Sequence, residues 1–544
     1  MKRTKKIFAM LLAFTMILGM TLTASAETTT ATPSSNDKLK ISATNIEEAD
    51  VTVTAYQIVE ANYTENGFTG YSWAVGCGFA NTKEVFVNGV LNLSDTELAA
   101  LTSKISDLSS FEMEKDTNTD TTYVSKEKLE AGTYMILVTG SASTIYNPMI
   151  ASVYYKVDGT GIATDAVNAT DKWSLETKNA YAKSDKPSVD KVIVKADDIE
   201  VKGDDGAYNE NINFKVTGVI PSYSKQYTTV NYNIVDTLST GLSFVSNEKD
   251  VIVKVESDEP TTEIVKAGDD TYSVTISGQI MTIAFASDYI KANGLKEVEV
   301  TYVAKINENA PLNYNGNTNT VYAEYSNNPT DETSKGKTPE VVTYHYTFGI
   351  DASLLGSTVT SELFKTDNGV IEAGATETTY TYLNGAEFTL TRTDAPDDYT
   401  GKTVYTTITG DGGETGDIQF KGLDAGTYTL VETKAPTGYQ LDTTEHSVVI
   451  TAEYNTDGTL KSYAIVIDGK PEGTSTYVNK ATDNKVDELG DIKQTATSTL
   501  IKNTKLIALP STGGIGTTIF TVAGCVIMIA AVVLFLANRR RDAR

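Results

Sequence analysis

Tyr428-Thr429-Leu430-Val431-Glu432-Thr433-Lys434-Ala435-Pro436-Thr437-Gly438-Tyr439 is the stretch on which the reading of this chain turns. Successive residues of an extended strand point to opposite faces, so Glu432 shares a face with Tyr428 and Leu430. Those are the core residues of an amphipathic strand, and a carboxyl group buried beside them is costly unless something pairs with it. Pro436 and Gly438 then end the strand in a turn. The segment therefore predicts a β-domain whose core holds an acid, and it sets a search for that acid's partners.

Outward from it the same texture continues. Short alternating segments rich in Val, Ile, Thr and Tyr, bounded by Gly, Asn and Asp, fill residues 27–508; examples are Asp50–Ile58, Thr133–Val138, Ile212–Gly218, Val298–Ala304, Glu387–Arg392 and Ser447–Glu453. Helix signal is sparse, the clearest being Ser94 to Leu108, where Ser94 and Glu97 form a capping box. At 544 residues the chain is too long for one compact domain. Polar stretches at Lys178 to Pro187 and Asn327 to Pro339 suggest boundaries, giving expected domains at 27–180, 187–339 and 340–508. The expected fold class is all-β, a tandem of β-sandwiches.

Composition removes several functions. A net charge of -26 argues against a nucleic-acid partner, because phosphate would be repelled across the surface. Two His and two Cys leave no raw material for a zinc site or a disulfide framework, so neither metal nor cofactor is expected. Gly336-Lys337-Thr338 lacks the upstream glycine of a phosphate loop, since Asp331 stands there, and His345 and His446 read as ordinary strand positions. No nucleophile-base pair for an external substrate is evident, so no enzyme is expected.

The two ends carry addresses. Lys2, Arg3, Lys5 and Lys6, the apolar run Ile7 to Leu22 and Ala24-Ser25-Ala26 read as a signal peptide over 1–26. Ile515 to Ala537 is uncharged, apolar and long enough to cross a bilayer, and the basic tail over 538–544 follows with Arg539, Arg540, Arg541 and Arg544. Positive residues stay on the cytoplasmic side, which puts the body of the protein outside.

Before that span stands Leu509-Pro510-Ser511-Thr512-Gly513. Pentapeptide, apolar helix and Arg tail in this order resemble the cell-wall sorting signal of Gram-positive surface proteins. The resemblance implies a precursor held briefly in the membrane, cleavage between Thr512 and Gly513 by a sortase transpeptidase, and transfer of Thr512 to an amine. The Tyr428–Tyr439 segment resembles the Glu box of the collagen-adhesin B-type immunoglobulin-like domain. In that family the acid shuttles protons while a first-strand Lys and a last-strand Asn form an isopeptide bond. The implied residues are Lys365 in Phe364-Lys365-Thr366-Asp367, Glu432, and Asn503 in Leu500-Ile501-Lys502-Asn503-Thr504, with Asn479 in reserve. A buried Lys365–Glu432 ion pair without covalent chemistry is the alternative.

The middle stretch resembles the A-type domain, where Asp replaces Glu; the implied residues are Lys191, with Lys195 as the other choice, Asp236 and Asn319. Asn319 shares strand parity with Val321, Ala323 and Tyr325, while Asp236 could instead cap the turn after Leu238. Trp173-Ser174-Leu175-Glu176-Thr177-Lys178-Asn179-Ala180-Tyr181-Ala182-Lys183 resembles the pilin motif of sortase-assembled backbone pilins, with Ala182 in place of Pro and Lys183 one residue farther from the Trp. That likeness implies a covalent head-to-tail fibre joined through Lys183, with copies of the same chain, peptidoglycan and possible accessory pilins as partners. A monomeric wall-anchored adhesin that binds a host or matrix ligand through its first domain is the other reading, with Lys183 then one of several solvated lysines beside Lys178 and Lys186.

Overall fold

The computed structural model describes residues 32–158, 161–167, 170–257, 262–350, 363–373, 375–411, 415–469, 474–478, 493–495, 499–506 and 516–541. The N-terminal unit is built on a sheet ordered Gly161–Ile162, Met149–Val157, Gly132–Thr139, Thr52–Thr64, Gly67–Trp73, with Trp173–Lys178 added against Met149–Val157. Its central strand, Gly132–Thr139, is buried at every position but the last, as expected of a strand covered on both faces. Ile136, Val138, Tyr155 and Trp173 pack on one side. Cys77, Leu101 and Leu108 cover Met135 and Leu137 on the other. Helix Asp95–Thr102 supplies part of that cover and opens with the expected capping box, Glu97 N donating to Ser94 Oγ at 3.3 Å and Ser94 N to Glu97 Oε2 at 2.9 Å.

The polar stretch Lys178 to Pro187 is zipped into the fold. Ala180–Tyr181 runs parallel to Ser42–Thr44, and Ser184–Asp185 pairs with Ile145–Tyr146. Ala180 and Ala182 alternate into the core, which is why so polar a segment is held.

The second unit is a sandwich of two sheets. One is ordered Glu200–Val201, Val189–Val194, Asn211–Val219, Glu297–Ile306, Ile252–Glu256, Thr262–Val265. The other is ordered Gly203–Asp205, Val341–Tyr346, Asn317–Ser326, Tyr232–Leu238, Ile280–Phe285, Tyr272–Ser277. Glu297–Ile306 and Asn317–Ser326 alternate strictly between buried and half-exposed positions over most of their length. Their inner residues, Val298, Val300, Val321 and Ala323 among them, share one core. Val341–Tyr346 pairs with Asn317–Val321, so this sheet continues past residue 339, where the sequence suggests a boundary.

The third unit centres on a sheet ordered Val404–Ile408, Glu387–Arg392, Gly426–Lys434, His446–Tyr454, Leu460–Ile467, Thr474–Val478, Lys493–Thr495. Phe348–Ile350 pairs with Phe420–Leu423. Leu363–Asp367 pairs in parallel with Thr499–Asn503, joining the two ends of the unit. Helix Gly516–Arg541 carries the apolar run expected to cross a membrane.

Where the second and third units meet, backbones touch. A Cβ on Gly203 would lie 2.0 Å from Gly458 O, and Gly458 itself has φ +92°; glycine on both sides is what permits the approach. The contact encloses Asp204, Asp205 and Glu210 of one unit and Asp424 of the other, against Lys195 and Arg392. Lys195 Nζ donates to Asp204 Oδ1 at 2.6 Å, while Arg392 holds Asp424 and donates to Asp394 Oδ1 at 2.9 Å. Four carboxyl groups thus face two cations. Burial pushes Asp205 well above the carboxylate range and Glu210 up to about 8, and pushes the enclosed His345 down to about 4.

Candidate crosslinking sites

In the third unit, Lys365 is on Leu363–Asp367, Glu432 on Gly426–Lys434 and Asn503 on Thr499–Asn503. Lys365 is opposite Ile501 in the parallel pair, and Asn503 is two residues farther along the same face, within reach of a long side chain. All three groups are buried, at 0%, 2% and 1% exposure. Lys365 Nζ contacts Asn503 Oδ1 and lies 3.1 Å from Glu432 Oε1. Asn503 Nδ2 donates to that same Oε1 at 2.9 Å, and Asp442 N donates to Oε2 at 2.8 Å. One carboxyl oxygen therefore touches both the amine and the carboxamide nitrogen. Burial lowers the Lys365 pKa, which enlarges the neutral, nucleophilic fraction.

The middle cluster is assembled differently. Lys191 and Asp236 are fully buried and in contact, and Asn319 is 1% exposed. Lys191 comes from one sheet, Asp236 and Asn319 from the sheet facing it, where Leu238 is opposite Asn319. Burial disfavours both charged forms, drawing Lys191 down to about 8 and Asp236 up from the carboxylate range. Lys195 is exposed and pairs with Asp204, so the structure brings Lys191, and not Lys195, to Asp236.

Sequence reasoning missed Tyr302. Its hydroxyl donates to Asp236 Oδ1 at 2.8 Å and accepts from Lys191 Nζ at 2.7 Å and from Asn319 Nδ2 at 2.6 Å. The signal was present, since Tyr302 shares strand parity with Val298, Val300 and Ala304 and so faces the core.

The remaining sites are peripheral. Trp173 is buried with its ring 5.2 Å from that of Tyr155, whereas Lys183, ten residues on, is exposed. Its carbonyl accepts from Asn147 N at 3.0 Å. Asn479, the signal segment and Leu509, Pro510, Ser511, Thr512 and Gly513 lie outside the described residues.

Comparison with known proteins gives matches in the first unit, in the third and at the anchor, and one relative along nearly the whole chain. Residues 36–184 match the T6 antigen Ig like domain family, residues 373–463 a prealbumin-like fold domain, and residues 501–543 the LPXTG cell wall anchor motif. The trypsin-resistant surface T6 protein of Streptococcus pyogenes serotype M6 is 25% identical over 93% of this chain and 96% of its own length. The T6 backbone pilin structure from serotype M6 Streptococcus pyogenes superposes with a TM-score of 0.57 at 20% identity, covering 88% of this chain and all of that one. The full-length major pilin SpaD of Corynebacterium diphtheriae follows at a TM-score of 0.45 and 18% identity, with 87% and 98% covered. A relative similar from end to end, a matched first unit and a matched anchor motif mark this chain as a wall-anchored surface protein that is similar, along its length and in its fold, to Gram-positive backbone pilins.

Proposed function

We propose that this chain is the repeating subunit of a covalent surface fibre, each copy closed by two internal lysine–asparagine bonds and joined head to tail through Lys183. A sortase cleaves after Thr512 and passes its carbonyl to the Lys183 amine of the next copy, and the last copy goes to peptidoglycan. In each cluster the neutral amine attacks the asparagine Cγ, the acid moves the proton, and ammonia leaves. No external substrate is turned over. The observation that carries the reading is the pair of buried Lys–acid–Asn clusters in an anchored chain. A bare buried ion pair is rarely net stabilising, so covalent closure gives these groups a reason to be where they are. Each bond closes a loop of well over a hundred residues, 138 apart for Lys365 and Asn503, for which the cross-link entropy model gives about 5 kcal/mol.

The test is an immunoblot of wall extracts boiled in SDS, comparing the native chain with Lys183→Ala. A ladder of high-mass bands, lost in the variant, is expected. A ladder that survives moves the linkage to Lys178 or Lys186, and one band near the monomer in both chains points to a singly anchored adhesin.

A further inference from the structure

We propose that Tyr302 is a fourth reactive member of the middle cluster, relaying a proton between Asp236 and the departing nitrogen of Asn319. The inference rests on the lysine–asparagine bond proposed above. A single hydroxyl is in hydrogen-bond contact with the nucleophile, the acid and the leaving group, at 2.7, 2.8 and 2.6 Å. In the third unit the carboxylate oxygen of Glu432 occupies that central position itself, 3.1 Å from the amine and 2.9 Å from the carboxamide nitrogen. Aspartate is one methylene shorter; Asn319 neighbours Asp236, and its Nδ2 donates to the phenol at 2.6 Å. Tyr302 is almost fully buried between the two sheets, and its pKa is pushed far up, first by burial and then by Asp236, so it remains a phenol able to accept and donate at once.

The step balances without any added reagent. Lys191 passes a proton to Asp236, leaving a neutral amine and a carboxylic acid. The amine lone pair forms the N–C bond to Cγ of Asn319. Asp236 then donates to Tyr302 Oη while the phenol proton moves to Nδ2, the same two contacts with donor and acceptor exchanged. The C–N bond breaks and ammonia departs. The extra proton on the new amide nitrogen returns to Asp236, and Tyr302 ends as it began.

The experiment follows the intact mass of newly made, pulse-labelled full-length chains, with peptide mapping to assign each loss of about 17 Da to its unit. With Tyr302→Phe, the Lys191–Asn319 bond is expected to form about 100-fold more slowly, in the range for a lost proton-transfer group, while the Lys365–Asn503 bond keeps its native rate. Comparing the melting of Lys191→Ala with and without Tyr302→Phe, where no middle bond can form, should show only the cost of the lost hydroxyl hydrogen bonds in a unit that still folds, which separates chemistry from folding. As a measurement on the unsubstituted chain, bond formation in heavy water should slow more in the middle unit than in the third, because two protons move in its relay. A native rate in Tyr302→Phe, or equal isotope effects in the two units, overturns the relay and leaves Asp236 acting directly. Loss of 17 Da from the middle unit despite Lys191→Ala would instead overturn the assignment of the bond on which the inference rests.

Discussion

The two clusters hold the same three kinds of group at different addresses. In the third unit, lysine and asparagine are on neighbouring parallel strands at the two ends of the unit, and one oxygen of Glu432 reaches both. In the second, lysine comes from one sheet and asparagine from the sheet opposite, with a tyrosine hydroxyl at the centre. The difference teaches that the strand carrying each residue is negotiable. What both units preserve is a buried acid in contact with the amine, the carboxamide bonding to the acid itself in one unit and to Tyr302 in the other. A bond in the third unit ties adjacent strands; a bond in the second staples two layers.

The largest effect should come from removing each nucleophile. Lys191→Ala and Lys365→Ala are each expected to retain about 17 Da in their own unit and to lower that unit's melting temperature by about 10–20 °C, the equivalent of roughly 5 kcal/mol. Calorimetry should show the larger drop in the second unit. There Asp236 keeps only its hydrogen-bonded neighbours within the cluster, whereas Glu432 retains the Asp442 amide. Equal drops would mean that the two environments are interchangeable.

A smaller, pH-dependent effect should mark the contact between the units. Glu210 binds its proton more tightly folded than unfolded, so its contribution is whole below about 4.5 and is lost as pH rises through about 8. His345 works in the other direction, its contribution whole above about 6.5 and lost as pH falls through about 4. From pH 6.5 to 9, with the Lys191 amine tied up in its bond and His345 already neutral, the carboxyl trend governs, and melting of the joined units should fall by about 5 °C. Glu210→Gln should flatten much of that fall, and an unchanged slope would exclude Glu210 as its source. Smallest of all is Lys195→Ala: its half-exposed ion pair is worth under about 1 kcal/mol, and the mass of the second unit should not change. A retained 17 Da there would exchange the roles of Lys195 and Lys191.

Much of this was legible in the sequence because alternation assigns a face to every strand residue. That is enough to place Glu432 and Asn319 inward, whereas Lys365 and Asn503 followed from the resemblance to the collagen-adhesin domain and not from alternation. Alternation does not say what stands opposite on another sheet, so Tyr302 looked like any other core aromatic. The acidic contact between units was hidden for a related reason. Gly203–Asp205 is three polar or glycine residues that read as a loop, and it becomes a strand only by pairing with Val341–Tyr346, far along the chain. The Lys178 to Pro187 stretch does lie between the first unit and the second, which opens at Val189, but its pairing with the first unit was hidden, its small buried alanines being a weak signal beside so many polar neighbours.

The parallel pairing of Leu363–Asp367 with Thr499–Asn503 has a consequence for damage. With Lys365 bonded to Asn503, the chain between them becomes a ring hung beside the main line of the fibre. A protease that cuts once within residues 366–502 opens the ring and releases nothing, because the two halves stay joined through the side chains. Breakage of the polymer then requires a cut outside the ring, and the surface loops within it can be nicked while the fibre stays whole.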